Sequence, residues 1–456
     1  MSDTNDASAA DRVRAVIAEH DALKVLLLLL GIWLLFTVLA WNQNPGQRLN
    51  AIAGTLRFVT FLGIVYALLA LALNLHWGYT GMFNIGVAGF MAVGVYVYTI
   101  VVRTPDPAIA GEPAGLGLPI VVGIVAGMLA AALVGLVAAL PALRLRADYF
   151  AIVTLGLSEI IRLTLQSSAF DGWLQENLGV GTGSGAGVSV SPGPDDPIRE
   201  LFYVGGSRAD GTTPLGDAVF AVTDPIGIQQ TVIINWAYVV VLAAVAVGFY
   251  WFLSRLGRSP FGRLLKAIRE DELAANALGK NVNVAKIKVF MIGCALMGLG
   301  GILWQGSQSA VSPTPQFLPV ITFYIFVAMM IGGAGSNTGS VLGGLLFAGV
   351  LFEGPRAVGR LISGQFDVAQ NPRNFADAVS PLLSGDFAPL LVYMTEVRIA
   401  ALQFVLLGVV LVILMQRRPE GLLGHRIEEA AAVDLSERPN RVDPSTAAAD
   451  GGDNDE

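Results

Sequence analysis

Six stretches without a single Asp, Glu, Lys or Arg constrain this chain before anything else does: Val25–Gln47, Phe58–Val102, Pro113–Leu143, Pro225–Ser254, Val289–Phe352 and Ile399–Gln416. Crossing the hydrocarbon core of a bilayer takes roughly 20 apolar residues. Each stretch is long enough to cross, and the second and fifth are long enough to cross more than once. Only 14% of the 456 residues are charged and 54% are hydrophobic, far from the quarter-charged make-up of soluble domains. The fold class is therefore an all-α integral membrane protein.

Subdividing the stretches gives about ten transmembrane helices. Phe58–Val102 breaks at the sequence His76-Trp77-Gly78-Tyr79-Thr80-Gly81, and Asp148–Gln166 supplies a helix that carries Asp148, Glu159 and Arg162. Val289–Phe352 divides near 289–306, 319–334 and 337–352, the last two rich in glycine. The apolar run after Lys24 lacks a small-residue cleavage site and reads as an uncleaved first helix. The expected organisation is a polar N-terminal segment 1–23, a transmembrane domain 24–424 and an acidic disordered tail 425–456. Residues 427–456 hold nine Asp/Glu against two Arg, which accounts for the whole formal charge of −7.

An even helix count puts both termini on one side. With that side cytoplasmic, the internal segments hold 18 of the 28 Lys/Arg, including Arg144, Arg146, Arg417 and Arg418 beside helix ends, as the positive-inside rule requires. The loop 255–288, with eight Lys/Arg against three Asp/Glu, is then cytoplasmic, and the excursions 167–233 (net −6) and 353–395 are external. A multi-pass protein of the cell membrane with cytoplasmic N- and C-termini follows.

The cytoplasmic loop is the most informative segment. Phe261, Leu264, Leu265 and Ile268 recur at i, i+3, i+4 and i+7, one apolar face of a helix, with Arg263, Lys266 and Arg269 on the other. A second helix of about two turns should start at Asp271 as its N-cap and stop at Gly279 in left-handed conformation. Its small residues Ala274, Ala275 and Ala277 leave a surface thin enough to fit a groove. The alternative is a basic loop lying on the lipid surface.

Glu272-Leu-Ala-Ala-Asn-Ala-Leu-Gly279 resembles the E-A-A-x-x-x-G loop of ABC importer permeases. More specifically, the chain is similar to the LivM-type permease of branched-chain amino acid ABC transporters. The resemblance is carried by Ala147-Asp-Tyr-Phe-Ala-Ile-Val-Thr-Leu-Gly-Leu-Ser-Glu-Ile-Ile-Arg-Leu163, Gly78-Tyr-Thr-Gly-Met-Phe-Asn-Ile-Gly86, Phe261 through Gly279, Gly332-Gly-Ala-Gly-Ser-Asn-Thr-Gly339 and Arg418-Pro-Glu-Gly-Leu-Leu-Gly424. It implies a permease subunit whose coupling helix, with Asp271, Glu272, Ala274, Ala275 and Gly279, sits in a groove of a cytoplasmic ATPase. It also implies a homologous second permease, two such ATPases, an external solute-binding protein and surrounding membrane lipid as partners. ATP and Mg would be used by the ATPases, with no cofactor bound by this chain. The implied solutes are branched-chain or related amino acids, with urea or short amides as a near alternative.

Ionisable groups inside a membrane helix are candidates for function by default. Asp148 either caps its helix at the positive dipole end or lines a solute path. Glu159 and Arg162, at i and i+3, either neutralise each other in packing or at a subunit contact, or line that path. The glycines Gly78 and Gly81, and Gly333 and Gly335, mark either close helix packing or the broken helices that build transport sites.

Other chemistry is missing from the sequence. No G-x-x-x-x-G-K-[S/T] occurs, so no phosphate-cradling loop of that kind is present. His20, His76 and His425 are too dispersed for a metal or acid-base cluster, Cys294 has no cysteine to pair with, and no basic face suggests nucleic acid. A stand-alone secondary transporter using Glu159, Arg162 and the glycine breaks is the rival from another class, and an intramembrane enzyme lacks the clusters it needs.

Overall fold

The computed structural model describes residues 21–41, 45–106, 112–142, 147–363, 372–394 and 398–423. Arg144, Arg146, most of the expected segment 1–23 and the expected tail 425–456 lie outside the described residues. What is described is almost entirely helical. The first half contains α1 (Asp21–Ala40), α2 (Arg48–Thr80), α3 (Val87–Val102), α4 (Ile120–Ala142) and α5 (Ala147–Gln166). Three short helices follow: α6 (Ser168–Leu178), α7 (Asp196–Phe202) and α8 (Pro214–Thr223). Then come α9 (Gln230–Arg258), α10 (Pro260–Glu270), α11 (Glu272–Ala277) and α12 (Val282–Gln305). The last group is α13 (Pro319–Gly332), α14 (Asn337–Leu346), a π-helical segment Phe347–Glu353, α15 (Gly354–Ser363) and α16 (Ile399–Arg417).

Among the described residues, seven helical stretches are long and apolar enough to cross a membrane: α1, α2, α4, α9, α12, Pro313–Gly332, which ends in α13, and Asn337–Leu361, which runs from α14 into α15. The pair α5–α6, bent by 64°, makes an eighth if it is one span, and α3 and the Gln403–Arg417 part of α16 are shorter apolar helices. The expected ten passages thus appear as seven full-length helical stretches, one bent pair and two short helices.

The core is built around α2. Its residues from Leu62 to Leu75 are buried on every side, as expected of a helix that is apolar all round. It is enclosed by α1, α9, α12, α13 and α14. By contrast, α4 leaves Val121, Val125, Leu129, Leu133 and Val137 exposed at a spacing of four. Spacing of four makes them a stripe of successive neighbours that winds slowly about the helix, the stripe that faces out of the bundle.

Two boundaries differ from the sequence expectation. The break expected at His76–Gly81 falls instead at residues 81–86: Gly81 takes φ 71°, its N–H donates to Trp77 O, and Met82 N–H turns back to His76 O. A left-handed glycine closing the last turn in this way is the usual reason for a helix to stop where it does. His76 itself is buried in α2, with Nε2 3.1 Å from Phe290 O and Nδ1 3.1 Å from Asn84 Nδ2. The second boundary is Glu353, where the sequence reading let the chain leave the bundle. The chain continues instead as helix to Ser363. The carboxylate is buried at the end of the π-helical segment and paired with Arg360 at 2.8 Å and Arg356 at 3.8 Å, which offsets the cost of burying a charge.

The excursion 167–233 is folded. Asp171 Oδ1 accepts from Thr182 N (2.6 Å) and Gly183 N (3.0 Å), and β1 (Val188–Ser189) pairs antiparallel with β2 (Ala310–Val311). Arg103, at the end of α3, donates to Pro113 O at 2.8 Å and to Ser189 O, while Glu112 accepts from Ser189 N and Oγ. This end of the bundle is closed over by polar contacts. Within it, burial pushes the Asp195 carboxyl above the usual range against the pull of Arg199, 2.8 Å away.

Candidate functional site

One end of the bundle carries the arm formed by α10 and α11. Ser259 caps α10 by accepting from Gly262 N at 3.1 Å, with Pro260 in the first turn, a position where a missing N–H costs nothing. Leu265 and Ile268 are buried, and Phe261 and Leu264 are partly buried against the core. The apolar face predicted from the spacing is the face that packs. Asp271 then ends α10 and caps α11, its Oδ1 accepting from Leu273 N at 2.9 Å and Ala274 N at 3.0 Å. Gly279 has φ 74°, and Asn281 caps α12 by accepting from Val284 N.

α11 has two distinct faces. Ala275 is 3% exposed and Glu272 Oε2 lies 2.5 Å from Lys286 Nζ on α12, so these residues fasten the short helix to the bundle. Leu273 and Leu278 are 80% and 78% exposed, with Ala274 and Ala277 exposed beside them. Ala275, expected among the residues meeting an outside groove, therefore faces inward. Leu273 and Leu278, which sequence reasoning passed over, are the outward apolar residues.

The candidate glycines gather at this same end through close packing. A Cβ at Gly78 would lie 2.0 Å from Asn74 Oδ1 and 2.5 Å from Gly335 N. Asn74 Oδ1 accepts from Gly335 N at 2.7 Å, and Asn74 Nδ2 donates to Asn337 Oδ1 at 3.1 Å. Asn337 Nδ2 donates in turn to Tyr79 OH (3.0 Å) and Ser254 Oγ (3.3 Å). Gly333 lies against Gly421, and the segment after α16 continues this contact, with Leu422 N and Leu423 N donating to Ile331 O and Gly332 O. Arg269, read from the sequence as part of the polar face of α10, reaches across to Gly78 O at 2.6 Å, and its Cγ would be 3.4 Å from a Cβ on Gly81.

Glu159 and Arg162 sit toward the opposite end of α5. Arg162 holds Glu159 through Nε–Oε2 (2.9 Å) and Nη2–Oε1 (2.5 Å), and its Nη1 donates to Gln166 Oε1 (3.0 Å) and Thr314 Oγ1 (2.6 Å). The guanidinium is nearly enclosed, with 10% of the side chain exposed, whereas Glu159 is 37% exposed. Asp148, exposed at the start of the helix, is about 16 Å away along the axis at 1.5 Å per residue. The three ionisable groups of α5 do not converge. The face of α5 turned into the bundle mixes the polar Thr154, Ser158 and Arg162 with Phe150, Ala151 and Leu165, while Ile152, Leu155, Ile160 and Leu163 point outward.

Among the described residues, no group of three His, Cys, Asp or Glu side chains is placed to hold a metal ion. Residues 55–415 match the family described as "Branched-chain amino acid transport system / permease component". The chain is 32% identical over 293 residues to the high-affinity branched-chain amino acid transport system permease protein LivM of Escherichia coli K12, an overlap covering 64% of this chain and 62% of that protein. It is 25% identical over 306 residues to a probable branched-chain amino acid transport permease LivM of Methanocaldococcus jannaschii, covering 62% of this chain and 76% of that one. A shorter likeness, 30% over 105 residues, links it to the LivH permease of Salmonella typhimurium, covering 23% of this chain and 32% of LivH. The match spans a little over three fifths of the length of the Escherichia coli and Salmonella LivM proteins. No solved structure matches the chain significantly.

Proposed function

The chain belongs to the branched-chain amino acid transport system permease family, and from that premise we propose that it is a permease subunit of an ATP-driven importer of branched-chain or related amino acids. In this reading it pairs with a second, homologous permease, and two cytoplasmic ATPases and an external binding protein complete the assembly. ATP and Mg are used by the ATPases and not by this chain. The observation that carries the reading is α11: a two-turn helix, capped at Asp271, anchored by Ala275 and Glu272–Lys286, that holds Leu273 and Leu278 out from the protein. An exposed apolar pair on a rigid mount is a surface built to be covered, and the bound ATPase is what covers it. Closure of the ATPases then moves α11 and, through the arm, the ends of the membrane helices. Along α5, the half-exposed Glu159 is turned toward the second permease or the water-filled path between the two, because a carboxylate facing lipid is costly.

The test is uptake of leucine by proteoliposomes holding the complete assembly. Uptake that requires both ATP and the binding protein is expected. Accumulation driven by an ion gradient with this chain alone would return the secondary-transporter reading.

The orientation proposed is cytoplasmic termini, with α10 and α11 inside and the α6–α8 region outside. A cysteine replacing Ala209 should react with a membrane-impermeant thiol reagent added to whole cells, and one replacing Asn276 should react only after the cells are opened. Both positions are exposed in the chain itself, so in cells that make this chain without the ATPases that would cover α11, access depends on side alone. The opposite pattern would invert the orientation.

A further inference from the structure

We propose that Arg269 is the positioning residue through which the coupling arm grips the membrane helices, holding the C-terminal end of α2 and the turn between α13 and α14 to α10. The inference rests on the coupling reading above and names the joint that reading requires.

Three features of the geometry converge on this side chain. First, Nη1 donates to Gly78 O at 2.6 Å. That carbonyl lies in the last turn of α2, where carbonyls lack intrahelical donors; Met82 N–H, four residues on, is directed to His76 O instead. Second, α2 has 33 residues, and a cation at its C-terminal end meets the negative end of the helix dipole. Third, the side chain passes two glycines with positive φ, its stem by Gly81 and its guanidinium by Gly335. A Cβ on Gly335 (φ 90°) would stand 3.0 Å from Nη1, and one on Gly81 (φ 71°) would stand 3.4 Å from Cγ. A side chain at Gly335 would crowd the guanidinium, and at both positions the positive φ favours glycine.

Among the described residues, Arg269 also pairs with its neighbour Glu270, at 3.3 Å from Nη2. Glu270 lies on the same arm, so the pair does not tie the arm to anything. The link to the bundle is the Gly78 carbonyl, and beyond it the chain Asn74, Gly335, Asn337, Tyr79 and Ser254, which touches α2, α9, α14 and the turn before α14. A displacement of α11 acts on α10 directly, because only Asp271 separates the two helices. Arg269 converts it into a pull on α2 and on the 333–336 turn together. Leu265 and Ile268 seat the arm by apolar packing, which survives without Arg269, so loss of the guanidinium should loosen transmission without detaching the arm.

The experiment uses the complete assembly in proteoliposomes, with leucine-loaded binding protein as the stimulus. Arg269→Ala should keep the ATPases bound and basal ATP hydrolysis unchanged. Stimulation by the loaded binding protein should fall roughly tenfold or more, in line with loss of a hydrogen bond to a charged group. Arg269→Lys, which keeps a cationic donor for the carbonyl, should recover a substantial part of the stimulation. Full stimulation in Arg269→Ala overturns the proposal, as does loss of the ATPases from that variant, which would make the residue a fold contact only. Equal loss in the Ala and Lys variants overturns the carbonyl contact as the cause. Leu273→Asp/Leu278→Asp is run alongside: if that double variant also retains its ATPases, it is the docking reading that has failed and not the joint.

Discussion

Replacing Leu273 and Leu278 together by Asp is expected to strip the ATPase subunits from the purified assembly while leaving this chain folded and inserted. Both side chains are about four-fifths exposed, so their loss costs the isolated chain little; exposed substitutions usually fall within about 0.5 kcal/mol. In a docked complex each Leu contributes about 1.5–3 kcal/mol on burial, and each Asp would bring an unpaired charge to the same place. Losing more than about 3 kcal/mol corresponds to a hundredfold or greater fall in affinity. The measurement is co-purification of the ATPases with the tagged permease, with thermal unfolding as the control for folding. Lys280→Gln, at an exposed position just past Gly279, should lose at most a few-fold, because an exposed charge contributes about 0–1 kcal/mol. Ala275→Trp also releases the ATPases in this scheme, but by a different route. Ala275 is buried, so the indole displaces α11 from its own mount at a cost of about 1–3 kcal/mol. Retention of the ATPases by the double Asp variant would remove α11 from the interface.

What the sequence could and could not say about this site follows from the range of each interaction. The caps of α11 were legible because they are local: Asp271 bonds to residues two and three ahead, and Gly279 needs only its own φ. The apolar face of α10 was legible because eleven residues span enough turns for a spacing to be seen. α11 has six residues, too few for periodicity to assign faces, and its orientation is set by Lys286, fourteen positions along the chain from Glu272. Arg269 reads from the sequence only as part of the polar face of α10 because its partner, Gly78, is 191 positions away. In α5 the usual rule holds only in part. Thr154, Ser158 and Arg162 face the bundle beside Phe150, Ala151 and Leu165, while Ile152, Leu155, Ile160 and Leu163 face out, as suits a helix whose surroundings are lipid or another subunit and not water. Glu353 looked like a boundary for a related reason, since a lone carboxylate ends an apolar run until Arg356 and Arg360 are seen folded back onto it.

The same long-range packing makes Gly78→Ala the second large effect, and it separates the two readings of the glycines. A methyl group at Gly78 would be 2.0 Å from Asn74 Oδ1 and 2.5 Å from the backbone N of Gly335. Asn74 is fully buried, so it must leave its place and give up the bonds to Gly335 N and Asn337. Overpacking costs about 1–3 kcal/mol, and a buried amide left unpaired costs about as much again. The α2 end and the 333–336 turn should separate, lowering the temperature of unfolding in detergent by several degrees and cutting uptake with it. Gly156→Ala is the matched control. Gly156 has nothing within 4 Å of a would-be Cβ, and in a helix Ala is favoured over Gly by about 1 kcal/mol, so its stability should hold or rise. If Gly78 instead lined the path of the solute, Gly78→Ala would unfold at the parental temperature and change only uptake or its preference among amino acids. That result would return Gly78, and with it Gly335, to the translocation pathway.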